Sequence, residues 1–228
     1  QELLGDDICG YIGTNGYACS KFNRETDNTT PGIESIYRIL DEFVKAGCKY
    51  VAMETSSEAF YYGRLKNFHF RVGGLTNIDK EHLNTHKTLE NYINCKKMLF
   101  KQSDMSVLNK NDKHFDEVVK DITNYKTYGY SKDNDLYIKD YEVKPNCTLI
   151  TYIINDDEVK VKSPLLGQFN IENLSCALLI CMSLGFDLYH LLRNIDKLSI
   201  SGRMNSIDLG QDYYVLVDYA HTPNGLAR

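Results

Sequence analysis

A carboxylate and two hydroxyls stand together in Met53-Glu54-Thr55-Ser56-Ser57, directly after a short apolar run that reads as a buried strand. At the carboxyl end of a parallel strand, such groups face the crevice where open α/β sheets bind ligands. The plainer alternative is a strand end with capping serines. Glu54 fits that alternative poorly, because an unpaired carboxylate beside a buried strand is costly. A cation is the natural remedy, and Mg2+ takes one or two carboxylates together with phosphate oxygens. A second strand end carries Leu75-Thr76-Asn77-Ile78, followed by Glu81-His82-Leu83-Asn84. His82 reads either as a ligand or as a satisfied structural histidine. Lys96, inside a helical pattern, reads by itself as a solvated helix lysine.

Two further segments have the composition of anion sites. Asn28-Thr29-Thr30-Pro31-Gly32 precedes an amphipathic helix. Thr or Asn as N-cap and Pro in the first turn explain it structurally, while the same geometry offers N–H groups and hydroxyls to an anionic ligand. Gly13-Thr14-Asn15-Gly16 has the glycines of a phosphate loop, but Tyr17 and Ala18 stand where Lys and Ser/Thr are needed. A strand-to-loop turn is the better reading.

These residues must be positioned by the elements around them. Short, continuous, β-branched runs at 8–12, 50–53, 72–76 and 105–108 alternate with helical patterns at 33–46, 89–101, 115–120 and 170–184. That alternation predicts an α/β fold with a mostly parallel sheet flanked by helices. From 125 to 161 the texture changes to β-rich runs at 136–143, 148–154 and 158–161, with Pro145-Asn146 and Asn155-Asp156-Asp157 between them, which predicts a small antiparallel subsheet. Two more β-rich runs, 204–209 and 213–217, suggest entry into a further α/β unit. Residues 1–4 read as the tail of a helix, and a new helix is expected after Pro223. Both ends look cut.

The chain has 228 residues, 43% hydrophobic, with 26 Lys+Arg against 31 Asp+Glu and a formal charge of −5. This is ample for a packed core and weighs against a general nucleic-acid binder, which would show a basic surplus. The longest apolar stretch, 174–184, is too short to span a bilayer, and no secretory leader opens the chain. The seven cysteines form no CxxC pair. An odd count within apolar runs points to buried, reduced thiols and a cytoplasmic setting.

In this order the segments resemble the Mur ligase family, and within it the UDP-N-acetylmuramoyl-tripeptide synthetases. The matching strings are Ile12-Gly13-Thr14, Asn28-Thr29-Thr30-Pro31, Met53-Glu54-Thr55-Ser56-Ser57, Thr76-Asn77-Ile78 with His82-Leu83, and Tyr92-Ile93-Asn94-Cys95-Lys96. Leu166-Gly167-Gln168-Phe169-Asn170-Ile171-Glu172-Asn173, Ser201-Gly202-Arg203-Met204 and Val217-Asp218-Tyr219-Ala220-His221-Thr222-Pro223 complete the series.

The resemblance implies a P-loop NTPase-like central domain over 1–200, followed at 201–228 by a hinge and the start of a C-terminal Rossmann-like domain. It implies an ATP-dependent amide ligase of peptidoglycan precursor synthesis. ATP phosphorylates the carboxylate of UDP-N-acetylmuramoyl-dipeptide, and an amino acid attacks the acyl phosphate. Cationic groups must then disperse charge on the transferring phosphoryl group. By the same resemblance Glu54, His82 and a carbamylated Lys96 are catalytic: Glu54 holds the Mg2+ that bridges the ATP phosphates, and His82 and the Lys96 carbamate hold a second Mg2+. A neutral amine plus CO2 gives an anionic carbamate, which requires the lysine pKa to fall well below its usual ~10.4. The Tyr-x-x-x-Lys spacing selects Lys96 over Lys97. Thr29, Thr30, Ser56 and Arg64 match positions that hold the UDP-sugar-peptide. Asn77, Asn170, Asn173, Arg203, Asp218 and His221 match positions around the nucleotide, with capping as the alternative for Asn170. The implied partners are the UDP-muramoyl-peptide and an amino acid, with no nucleic acid or membrane, and the protein a monomer. The family's phosphate loop lies ahead of residue 1, so this stretch by itself is expected to be inactive.

Departures from the family pattern fall on the acceptor side. Thr55 and Glu58 replace a Val and a His, Asn84 replaces an Asp, Glu81 replaces an Asp, Tyr62 replaces a Gln and Asn205 replaces a Glu. They leave open a Mur-like ligase acting on a different carboxylate, or a non-catalytic Mur-like nucleotide-sugar-binding module.

Overall fold

The computed structural model describes residues 1–79, 83–200, 204–207, 209–213 and 215–218. They divide into two compact units, one of residues 1–73, 77–106 and 116–124, the other of 74–76, 107–115 and 125–228.

The first unit opens with β1 (Cys9–Gly13), β2 (Gly16–Cys19) and β3 (Phe22–Arg24), then α1 (Ile33–Ala46), β4 (Tyr50–Met53) and α2 (Ser57–Tyr61). These strands form a four-stranded sheet in the order β3-β2-β1-β4. β1 pairs antiparallel with β2 and parallel with β4, with Ile12 opposite Met53. α1 forms because Ile36, Ile39, Phe43 and Ala46 recur at helical spacing and bury one stripe. Gly47, at φ 93°, ends it by donating its N–H to the carbonyls of Phe43 and Val44. The helix sits close on β1: a Cβ on Gly10 would come 2.7 Å from the Phe43 ring. Tyr17 and Phe22 pack on the same ring from β2 and β3.

β5 (Phe70–Leu75) leads to α3 (Leu83–His86), α4 (Leu89–Lys101), β6 (Ser103–Asn109) and α5 (Phe115–Val119). Thr88 caps α4 by accepting from the Asn91 N–H. The buried face of α4 carries Tyr92, Ile93, Phe100 and one charged residue, Lys97. The Lys97 ammonium lies 2.6 Å from the Asp121 carboxylate and donates to the Glu117 carbonyl at 3.1 Å. That hydrogen bond and charge hold Asp121 below the usual carboxylate range.

The second unit adds β7 (Tyr125–Gly129), β8 (Leu136–Lys144), β9 (Cys147–Ile154), β10 (Asp157–Ser163), α6 (Gln168–Ser183), α7 (Leu188–Leu192), a 3₁₀ turn at Ile195–Lys197, β11 (Asn205–Ile207) and β12 (Val215–Val217). Its six-stranded sheet runs β10-β9-β8-β7-β6-β5. β7 and β8 are parallel, whereas β8, β9 and β10 form the antiparallel subsheet, bulged between Ile138 and Asp140. β9 alternates strictly, burying Thr148, Ile150, Tyr152 and Ile154. α6 lies close on the end of β5, where a Cβ on Gly74 would sit 2.6 Å from the Ile180 side chain.

The α/β class and the antiparallel subsheet are therefore as the sequence predicts, and 33–46, 50–53 and 89–101 match their elements residue for residue. Residues 1–4 differ: they form consecutive hydrogen-bonded turns ending at Gly5, φ 89°, in place of a helix tail. The hairpin β2–β3 was not expected either, since its two short strands carry no clear period. The helix expected after Pro223 lies outside the described residues. All seven cysteines are free. Among the described residues no helix is long and apolar enough to cross a membrane.

Two substitutions probe this architecture. Gly16, at φ 93°, has the Arg24 carbonyl oxygen 2.1 Å from any added Cβ, whereas Gly47 at the same φ has open space. Gly47→Ala should cost about 1 kcal/mol of backbone strain and Gly16→Ala clearly more, about 3 kcal/mol, in urea unfolding. Asp121→Asn should lower stability at neutral pH. Because the folded pKa of Asp121 lies below the unfolded one, its contribution is complete above the unfolded pKa and is lost as pH falls through the folded value. The gap between the parent protein and Asp121→Asn should therefore close as pH drops below about 4.

Candidate functional site

The parallel pairing of β4 with β1 fixes where Glu54 arrives. Its N–H continues the ladder by donating to the Ile12 carbonyl at 2.8 Å, which sets the side chain over the turn joining β1 to β2. Thr14 meets it there: its backbone N–H and its hydroxyl both donate to Glu54 Oε2, each at 3.0 Å. The Thr14 hydroxyl also lies 3.1 Å from that of Thr29. A Cβ on Gly13 would fall 2.8 Å from Glu54 Oε2 and 2.1 Å from the Tyr11 hydroxyl, so only glycine leaves room for both. Burial, then the Glu54 charge, pushes the Tyr11 phenol above the usual tyrosine range.

Thr30 joins the loop before α1 to the loop after β4. Its hydroxyl donates to the Glu54 carbonyl at 2.9 Å and accepts from the Ser56 N–H at 2.9 Å. Arg64 closes the group by donating to the Thr30 carbonyl at 2.7 Å, its guanidinium 6.0 Å from the centre of the Tyr62 ring. Ser56 caps α2, accepting from the Ala59 N–H. The structure thus brings Thr29, Thr30, Glu54, Ser56 and Arg64 into one hydrogen-bonded group with Thr14.

A second group extends from α2 to α4. The Ser57 hydroxyl lies 2.9 Å from His86 Nε2, both residues being buried. The His86 ring packs 5.4 Å from Tyr61 and 5.3 Å from Tyr92. The Lys96 ammonium sits 5.3 Å from the centre of the Tyr92 ring, the contact expected of residues four apart on a helix. Thr85 donates to Glu58 at 2.7 Å. Lys96 is half-buried, while its neighbour Lys97 is committed to Asp121.

The residues matched to nucleotide positions are placed separately. Asn77 follows β5 and is half-buried. Asn170, almost fully buried at the start of α6, donates to the Leu166 carbonyl at 2.8 Å and accepts from the Asn173 amide at 3.3 Å. The N-cap of α6 is Gly167, with no side-chain cap bond. Asp218 accepts from the Met204 N–H at 2.8 Å, tying together the ends of β11 and β12. His82, Arg203 and His221 lie outside the described residues.

Sequence reasoning gave no role to Tyr11, Thr14, His86 or Asn109. Asn109 is buried at the end of β6 and donates to the Thr76 carbonyl and to Glu172. Two of the four had a signal: Thr14, inside the Gly13-Thr14-Asn15-Gly16 turn, and His86, an imidazole four residues after His82. Among the described residues no three His, Cys, Asp or Glu side chains cluster to hold a metal. Glu54 nonetheless has the chemistry of a ligand to a hard cation. It is exposed, Thr14 occupies Oε2, and Oε1 accepts no hydrogen bond from the described residues.

Residues 1–181 match the Mur ligase middle domain. The UDP-N-acetylmuramoyl-L-alanyl-D-glutamate--2,6-diaminopimelate ligase of Clostridium tetani is 36% identical over 229 residues, covering 98% of this chain and 45% of that ligase. The UDP-N-acetylmuramoyl-L-alanyl-D-glutamate--L-lysine ligase of Staphylococcus aureus is 30% identical over 228 residues, covering 96% of this chain and 46% of that ligase. A solved UDP-N-acetylmuramoyl-L-alanyl-D-glutamate--2,6-diaminopimelate ligase superposes with a TM-score of 0.84 at 31% identity, over 96% of this chain and 46% of that one. The chain spans about half the length of the curated relatives it matches. With a middle-domain match over residues 1–181 and relatives 36% and 30% identical over nearly the whole chain, the chain belongs to the Mur ligase family.

Proposed function

We propose that this chain is the nucleotide- and acceptor-binding middle of an ATP-dependent ligase that joins an amino acid to UDP-N-acetylmuramoyl-dipeptide in the cytoplasm, as a monomer. The observation that carries this reading is the single hydrogen-bonded group of Thr29, Thr30, Glu54, Ser56 and Arg64, set at the carboxyl end of β4. Its relatives are ligases of this kind by name.

Thr29, Ser56 and Arg64 serve the UDP-sugar-peptide. The Thr30 hydroxyl, spent on Glu54 and Ser56, fixes the loop that presents them. Glu54 would hold one Mg2+ and His82 with a carbamate on Lys96 a second, and such ions would supply positive charge to offset that of the transferring phosphoryl group. The Lys96 ammonium lies 5.3 Å from the centre of the Tyr92 ring, and its neighbour Lys97 pairs with Asp121. Asn77, Asn170, Asn173, Arg203, Asp218 and His221 surround the nucleotide. The amine of the incoming amino acid then attacks the acyl phosphate, expelling phosphate and forming the amide.

A second reading, ligation to a different carboxylate, is favoured by one feature: Tyr62 stands exposed beside Arg64, a phenol in place of the Gln amide of the family pattern. The deciding experiment incubates the full-length protein with ATP, Mg2+, UDP-muramoyl-dipeptide and candidate amino acids. Phosphate release that requires this acceptor is expected. Release only with another carboxylate selects the second reading, and binding without release makes the protein a non-catalytic module. Lys96→Arg should cut turnover by at least about a hundredfold. Isotopically labelled bicarbonate should give a carbamate carbon resonance in the parent protein and none in Lys96→Arg. A carbamate signal that survives the substitution would place the modification elsewhere.

A further inference from the structure

The Gly13-Thr14-Asn15-Gly16 turn has the composition of a phosphate loop and no role in the reading above. We propose that Thr14 is a positioning residue for Glu54, selecting which carboxylate oxygen meets the metal, and that it orders the Thr29 hydroxyl toward the acceptor at the same time. This rests on the assignment of Glu54 to Mg2+.

Two donors from one residue, the N–H and the hydroxyl of Thr14, converge on Glu54 Oε2 at 3.0 Å each. On an exposed glutamate, whose side chain otherwise samples several rotamers, such a fork fixes both the position and the roll of the carboxylate. Oε2 becomes the inward oxygen and Oε1 the outward one. Gly13 is part of the device, because a Cβ there would strike Oε2 at 2.8 Å and the Tyr11 hydroxyl at 2.1 Å. The turn therefore grips a carboxylate instead of wrapping a phosphate.

Proton direction follows from the acceptor. An ionised carboxylate only accepts, so the one Thr14 hydroxyl proton goes to Glu54. In the 3.1 Å contact between the hydroxyls of Thr14 and Thr29, Thr29 must then be the donor. The relay runs Thr29 to Thr14 to Glu54 and leaves Thr29 with lone pairs only. Thr29 thus accepts from a hydroxyl or amide N–H of the acceptor and has no proton to give to a phosphate or carboxylate. The carboxylate that holds the metal and the hydroxyl that meets the sugar-peptide are coupled through one threonine.

The test uses the full-length protein and Mn2+ alone as probe, with the free ion followed by electron paramagnetic resonance and no turnover required. Glu54→Gln should remove a Mn2+ site. Thr14→Val, which keeps the backbone N–H but loses the hydroxyl, should weaken Mn2+ about tenfold, within the range for groups that orient metal ligands. Thr14→Ser should restore the parent affinity, and Gly13→Ala should weaken it independently. The unfolding midpoint of Thr14→Val should match that of Thr14→Ser. Parent-like Mn2+ binding by Thr14→Val while Glu54→Gln loses the site overturns the inference and leaves the Glu54 assignment standing. Equal losses in Thr14→Val and Thr14→Ser overturn it too, since the hydroxyl would then not be the cause. Parent-like binding by Glu54→Gln defeats the metal assignment itself.

Discussion

The parallel register of β4 against β1 is the constraint on which the site depends. With Ile12 opposite Met53 and the Glu54 N–H on the Ile12 carbonyl, the first residue beyond the strand is set over the turn that follows β1. Because strand side chains alternate with a period of two, a slip of one residue would put Met53 there and aim the carboxylate at the opposite face. The register is held from the other side as well. α1 presses Phe43 onto Gly10, and the hairpin brings Tyr17 and Phe22 against the same ring. The apolar packing under β1 therefore fixes the polar geometry at its end.

From that strand end the contacts run on without a break to α4. Glu54 is tied through its carbonyl to Thr30, Thr30 to Ser56 and Arg64, and the next residue, Ser57, to His86. His86 packs on Tyr92, whose ring lies under the Lys96 ammonium. The four hydrogen bonds among these links are part-buried or buried, so leaving one unmade would carry a desolvation cost, while the two contacts to Tyr92 are ring packing. The candidate acceptor side and the candidate metal-ligand helix thus belong to one unit with a shared set of constraints.

Long periodic segments were legible in the sequence because their own pattern decides them. The stripe of Ile36, Ile39, Phe43 and Ala46, followed by Gly47, gives α1 without reference to anything else. β9 does the same through strict alternation. The hairpin strands β2 and β3 were not legible, since Gly16 to Arg24 acquires its strand character only by pairing with β1 and packing Tyr17 below α1. The site divides in the same way. Glu54, Thr30 and Arg64 could be named from residue type at a strand end and from resemblance. Thr14, Tyr11 and His86 could not, because their roles come from contacts across 40, 43 and 29 residues of chain or from the room that Gly13 leaves. Asn170 could be named from its place in the string, but its bonds to the Leu166 carbonyl and the Asn173 amide show only in the fold.

Helix geometry also explains how two adjacent lysines can have unlike chemistry. Successive residues on an α-helix point about 100° apart, so Lys96 and Lys97 cannot share a face. Lys97 turns inward, where burial of an ammonium is tolerable only with a partner, and Asp121 and the Glu117 carbonyl provide it. Lys96 falls instead on the row of Tyr92, four residues earlier, with its amine over an aromatic face. The Tyr-x-x-x-Lys spacing thus has a physical basis: it sets the Lys96 amine over the Tyr92 ring, while the next residue along turns to Asp121.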